Sequence, residues 1–95
     1  MATYVMALMN KHNMERYADY SAAGYVSLQG IDVLDVVAAE DLTVLEGSVP
    51  ATSLVLLKFK NDEDADRWYH SDAYQSAIPI RHESAETAFV VKFSA

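Results

Sequence analysis

The sequence predicts an α+β fold in which one antiparallel sheet carries two helices on one face, in the order β-α-β-β-α-β. Three observations predict it. Short runs rich in valine, leucine and isoleucine alternate with stretches whose apolar residues recur at helical spacing. Asparagines stand where both helical stretches begin, as N-caps do. A stretch with a glycine and a proline, Gly47 to Ala51, separates the two middle strands and returns one antiparallel to the other. Helices segregated to one face of such a sheet give the split βαβ, or ferredoxin-like, arrangement.

The elements follow in order. "TYVMALM" (Thr3 to Met9) is an uncharged apolar run of strand length and reads as a buried strand, with Asn10 to Asn13 as its break. The first helix is expected from about Asn13 to Gln29: Asn13 caps it, Gly30 stops it, and Met14, Tyr17, Ala18, Ser21, Tyr25 and Leu28 form its inward stripe. "IDVLDVVA" is the second strand, with "LTVLEG" as its continuation beyond Glu40 and Asp41. "SLVLLKF" is the third. Asn61 then caps a second helix whose first turn carries Asp62, Glu63 and Asp64, where the helix dipole favours negative charge. Pro79 lacks the donor a helix interior needs, so this helix and its continuation after Ser71 are expected to end near Ile78. "TAFVVKF" is the last strand.

A sheet covered on one face alternates apolar and polar residues. These strands do not. Thr87, Phe89, Val91 and Phe93 oppose Ala88 and Val90, and Thr3, Val5, Ala7 and Met9 oppose Tyr4, Met6 and Leu8, so both sides are apolar. Two helices cover one side; a second copy's sheet is expected on the other, giving a homodimer by sheet-to-sheet packing.

"LEG" (Leu45 to Gly47), Pro50, "LVLLKF" (Leu54 to Phe59), Ala65, "WYHSDAYQ" (Trp68 to Gln75) and Arg81 resemble the short bacterial proteins of the domain of unknown function 1330 family, within the dimeric α+β barrel superfamily. The likeness covers most of the chain after about Leu45 and is most specific in the Trp-Tyr-x-Ser-x-x-Tyr-Gln core. It implies a ferredoxin-like protomer, a dimer whose two sheets form a barrel, and no established reaction. This chain departs from the family pattern with Asp32 and Asp35 in place of a Gly-Gly-Arg stretch, Ser53 in place of an arginine, and Lys58 in place of a glutamate. A pocket using those family charges would have different chemistry here.

Composition narrows the function classes. The 95 residues read as one domain, 1–95, of which a single core buries roughly two-thirds of the unfolded chain's surface. There is no cysteine, hence no disulfide or thiolate chemistry, and the net charge of -7 repels phosphate backbones and anionic lipid. No run approaches the roughly 20 apolar residues of a membrane span. A cytoplasmic protein that binds neither nucleic acid nor membrane is expected.

The candidate chemistry lies in and after "WYHSDAYQ". Trp68 and Tyr69 are expected to pack on the sheet, and His70 to stand beside Asp66. His70, Ser71 and Asp72 are adjacent, but neighbouring helical side chains diverge and no GxSxG supplies an oxyanion hole, so a hydrolytic triad is not expected. Ser71 fits the cap of a new turn. The pairs His70 with Asp72 and His82 with Glu83, and the distant His12, have no i, i+4 ligand spacing, so neither metal nor cofactor is expected. Tyr74, Ile78 and Arg81 recur at i, i+4 and i+7, on one face if the backbone stays helical past Pro79. Tyr74, Arg81 and His70 are therefore the candidate catalytic residues, and Tyr17, Tyr25, Trp68 and Tyr69 the candidate ligand contacts. Two functions are weighed: a cofactor-independent enzyme or binder for a small carbonyl or aromatic metabolite in a helix-sheet crevice, and a non-catalytic dimer that regulates or scaffolds a basic partner.

Overall fold

A computed structural model describes residues 1–95. Four antiparallel strands, β1 (Thr3–Lys11), β2 (Val33–Ala39), β3 (Ser53–Phe59) and β4 (Ala85–Ser94), lie in the order β2-β3-β1-β4. Helix α1 (Met14–Ser27) joins β1 to β2; α2 (Asp62–Tyr69) and α3 (Asp72–Ser84) join β3 to β4. This is the ferredoxin-like arrangement the element order predicts.

The helices start where the sequence places caps. Asn13 Oδ1 accepts from the Arg16 N–H at 3.1 Å and Asn61 Oδ1 from the Asp64 N–H at 2.8 Å. Ser71 Oγ accepts from the Tyr74 N–H at 3.1 Å and donates to the Trp68 carbonyl at 2.7 Å, tying the end of α2 to the start of α3. Gly30, at φ +79°, turns the chain out of α1 through the left-handed region.

Five expectations change. Pro79 does not end α3, which runs five residues further to Ser84. The hydrogen bond it forgoes is to the carbonyl of Gln75, and both residues are exposed, so water can serve that carbonyl while Tyr74, Ala77, Arg81 and Ser84 hold the buried face. "LTVLEG" is not strand. After a left-handed Asp41 (φ 54°) the chain crosses as a loop, which the Asn10 side chain fastens through Pro50 and Thr52. Strand β1 continues through Asn10 and Lys11, because β4 pairs with both. The buried stripe of α1 is rotated: Tyr17 and Ser27 are buried and Tyr20, Ala23 and Leu28 pack on the core, whereas Met14 and Tyr25 are exposed. Finally, β4 slips one residue at Ala88, so Thr87 pairs with Met9 while Phe89, Val91 and Phe93 pair with Leu8, Met6 and Tyr4 on the opposite face.

The core forms between the sheet and the helices. Val5, Leu57 and Phe59 of the sheet meet Ala65, Trp68, Tyr74 and Ala77, and a smaller group joins Ala7, Met9, Tyr17 and Ala85. Trp68 touches three other elements: its ring lies 5.4 Å from Phe59 of β3 and 4.2 Å from Tyr74 of α3, and its indole N–H donates to Ser27 Oγ of α1 at 2.9 Å. The other sheet face has no helix. The registers place Val37 and Ala39, Leu54 and Leu56, Tyr4, Met6 and Leu8, and Phe89, Val91 and Phe93 side by side, with Asp35 opposite Lys58 as the only charged pair.

Two outcomes check this account by urea unfolding. Pro79→Ala should raise stability by about 1–3 kcal/mol, since the helical backbone is already in place and gains its missing bond. Ser27→Ala should cost about 1–3 kcal/mol by stranding the buried indole N–H of Trp68.

Candidate active site

Helix α1 packs along α3 and stands away from the sheet. The gap is a cavity of about 470 Å³, walled mainly by apolar side chains from β1, β2, β3 and α1. Val5, Ala7, Met9, Val55 and Leu57 form its floor, Tyr17, Tyr20 and Gly24 its α1 side, and Trp68 and Tyr74 its inner end. Gly24 leaves room: a Cβ built there meets nothing within 4 Å.

The polar groups gather beside Tyr74. Arg81 Nη1 donates to the Tyr74 hydroxyl at 2.6 Å, and that hydroxyl lies 2.8 Å from the hydroxyl of Tyr20. Arg81 is 4% exposed, its Nε has no partner, and it enters none of the ion pairs of the chain. Its guanidinium carbon sits 5.8 Å from the Tyr20 ring centroid. The charge is thus held by phenols and a π face, with no carboxylate to neutralise it. Arg81 thus meets Tyr74, with which its spacing places it on one helix face.

Lys11, at the opposite wall, differs. It pairs with Glu40 and its Nζ lies 4.1 Å over the Tyr17 ring. Glu40 also accepts from Ser53 Oγ at 2.7 Å, and the two donors, Lys11 first, hold its carboxyl below the usual range. Burial, reinforced by the neighbouring Tyr20 and Glu40, pushes the Tyr17 phenol up to about 12. Burial, and after it the adjacent Tyr20, also raises Tyr74, although Arg81 opposes the shift. Both remain neutral, hydrogen-bond-donating phenols at physiological pH.

The candidate residues divide accordingly. Tyr74 and Arg81 meet, and Tyr17, Trp68 and Tyr25 line the cavity, Tyr25 at its rim with 71% of its surface exposed. Tyr69 packs against the Trp68 and Tyr74 rings without reaching the cavity. His70 does not join them. It is the exposed C-cap of α2, edge-on to Tyr69, and lines a second depression of about 320 Å³ together with Tyr69 and Lys92. Asp66, its expected partner, is taken by Lys92 at 2.5 Å, with Asp62 at 2.9 Å. Asp32, Asp35, Ser53 and Lys58 all lie off the cavity wall. Tyr20 and Lys11 are the residues the sequence reading missed. Tyr20 follows Tyr17 by three positions, a spacing that marks one helix face.

The fold and site define a ferredoxin-like protomer with an apolar helix-sheet cavity closed by a phenol-guanidinium cluster. The chain belongs to the family described as Domain of unknown function (DUF1330), which matches residues 2–93. Among solved structures it is similar to a dimeric ferredoxin-like protein of unknown function from Jannaschia sp. CCS1 (15% identity, 100% of each chain, TM-score 0.76). A mutant of SnoaB, a cofactor-independent oxygenase from Streptomyces nogalater, is similar at 6% identity over 99% of this chain and 92% of that one, with a TM-score of 0.74. A protein of unknown function from Bacteroides thetaiotaomicron, described as a possible oxidoreductase, matches at 14% identity over 97% and 95%, with a TM-score of 0.66. These likenesses show the fold. No curated protein matches the sequence. No helix is long and apolar enough to cross a membrane.

The raised Tyr17 phenol has a pH consequence. An ordinary phenol titrates near 10 in the unfolded chain, so Tyr17's contribution is fully present below about pH 10 and is lost as pH rises through about 12. Urea midpoints at about pH 8 and about pH 11 should therefore fall less in Tyr17→Phe than in the wild type. Equal falls would contradict the burial of Tyr17.

Proposed function

We propose that this protein binds a small, largely apolar metabolite carrying a carbonyl or an aromatic ring in the cavity between α1 and the sheet, and acts on it without a cofactor. The observation that carries this reading is the cavity itself, large enough for a drug-sized or smaller molecule and apolar apart from Lys11, Ser21 and the tyrosines, of which Tyr74 is held by Tyr20 and by Arg81. In this reading Tyr74 is the catalytic residue, Arg81 positions and polarises it, and Trp68 and Tyr17 hold the ligand. The description of SnoaB as a cofactor-independent oxygenase supports it as an analogy of fold. His70 has no part in it.

The protein would work as a homodimer. The helix-free sheet face is apolar across all four strands, and similar structures from Jannaschia and Thermobifida are described as dimeric. The second copy's sheet is the occupant of matching shape and chemistry. A cytoplasmic location fits the absence of cysteine.

The binding test uses 2-methylnaphthalene, followed by the fluorescence of Trp68, the chain's single tryptophan, which lines the cavity. Wild type should bind it. Gly24→Leu, which projects a side chain into open space and improves helix propensity, should stay folded and weaken binding at least about tenfold. Binding untouched by Gly24→Leu, or none in the wild type, would sink the reading. Light scattering tests the dimer. The wild type should have twice the chain mass, and Val91→Asp, which sets a charge on the apolar face halfway along the edge strand β4, should shift it towards the monomer.

A further inference from the structure

We infer that the cavity is built for a ligand presenting one oxygen that carries negative charge, a phenolate or an enolate, and that Tyr20 together with Tyr74 delivers the hydrogen bond to it. The inference rests on the reading of the cavity as a ligand site and adds the class of ligand.

It follows from counting donors. A guanidinium only donates, so the bond from Arg81 Nη1 occupies a lone pair of the Tyr74 oxygen. The bond between the Tyr74 and Tyr20 hydroxyls consumes one of their two hydrogens, whichever way it points. The other hydrogen has no acceptor in the protein, for neither hydroxyl makes a further side-chain bond. Both tyrosines line the cavity, so a ligand filling it comes next to the pair that holds the surplus donor.

Charge points the same way. Arg81 is buried without a carboxylate, and one of its nitrogens is unpartnered. Lys11, the other cation near the cavity, is neutralised by Glu40. An uncompensated buried cation is costly, and an anion nearby, reached through the hydrogen bonds of Tyr74 and Tyr20, offsets that cost. The number of donors selects the kind of anion. A carboxylate has two oxygens to satisfy and is best met by a bidentate arginine. Here Arg81 is not on the cavity wall, and the surplus O–H of the Tyr20–Tyr74 pair is the one donor in the cavity backed by an uncompensated buried charge, for the Tyr17 phenol stands beside Lys11, which Glu40 neutralises. A carboxylate would set only one of its two oxygens on that pair, whereas an enolate or phenolate has a single oxygen on an otherwise apolar frame. Polarised donors aimed at an oxyanion are also what an enzyme needs to stabilise charge developing on a carbonyl oxygen.

The test compares probes sharing one ring system at one near-neutral pH: 2-methylnaphthalene, 2-naphthol, the more acidic 6-cyano-2-naphthol, and 2-naphthoate. The cyano-naphthol should bind the wild type about ten- to a hundredfold more tightly than the methyl compound. Its bound form should show the naphtholate absorption band in conditions where the free probe is largely neutral. Arg81→Gln and Tyr20→Phe should both lose the naphtholate band and lower affinity for the cyano-naphthol by a larger factor than affinity for 2-methylnaphthalene. Tyr20→Phe keeps the charge in place, so it tests the donor even if Arg81→Gln does not fold. A role of Arg81 confined to packing would leave the spectrum of the bound probe unchanged on substitution, and that result overturns the inference. So does equal affinity for the methyl and hydroxyl probes, or preference for the naphthoate. In each of those cases 2-methylnaphthalene still binds and the cavity reading survives; if no probe binds, both fall.

Discussion

Trp68 sets the spacing on which the rest of the molecule depends. Its ring is wedged between Phe59 of the sheet and Tyr74 of α3, and its indole N–H reaches Ser27 near the end of α1. An aromatic wedge is incompressible on the scale of a methyl group, because interiors are packed like organic crystals. With Trp68 filling one end of the layer between α1 and the sheet, α1 is tied down there. Towards Gly24 and the rim at Tyr25 the two surfaces separate, and the cavity is the space left between them. The same wedge places Tyr74, and through it Arg81 and Tyr20.

That cluster has a stability consequence opposed to its functional one. A guanidinium buried among phenols, without a counter-ion, is poorly compensated, and an apolar side chain of similar volume would often serve folding as well or better. Packing alone does not require it. The flanking helix nevertheless keeps its course past Pro79, although proline in a helix interior costs about 3 kcal/mol. Had α3 stopped near Ile78, Arg81 would have left the face it shares with Tyr74, seven residues and about two turns earlier. The helix holds Arg81 on that face in spite of its proline, and the buried guanidinium is the choice that packing does not require.

The fold was legible because its signals are local. Caps at Asn13, Asn61 and Ser71 announce themselves in two or three residues, and "SLVLLKF" is bounded as strand β3. The misses share a different cause. Pro79 and "LTVLEG" follow local propensity in one direction and tertiary packing in the other: Arg81 and Ser84 retain the helix, while the left-handed Asp41 and the Asn10 side chain carry the loop away from the sheet. The slip at Ala88 is a property of paired strands and cannot be seen in one. The site was half legible. Tyr74 and Arg81 show themselves by helical spacing, but Tyr20 comes from another helix and Lys11 from a strand end, and only the crossover of the chain brings them near. His70 stood out because it is a histidine in a conspicuous motif, yet the end of α2 turns it outward.

The two faces of the sheet are not independent. Along β1, Val5, Ala7 and Met9 form the cavity floor, and Tyr4, Met6 and Leu8 between them form the helix-free face. Each residue of one set is a peptide unit away from the other, so whatever covers the outer face also limits how far the floor can move. A bound second copy would hold β1 and β3 flat against a partner and fix the distance from the floor to Tyr20 and Tyr74. For a ligand held by the single hydrogen bond inferred above, that distance would matter more than affinity for the apolar frame, because such a bond weakens steeply once its angle or length departs from the optimum. A partner on the apolar outer face would therefore serve the site, since the pattern that first argues for a dimer would also lend rigidity to the cavity behind it.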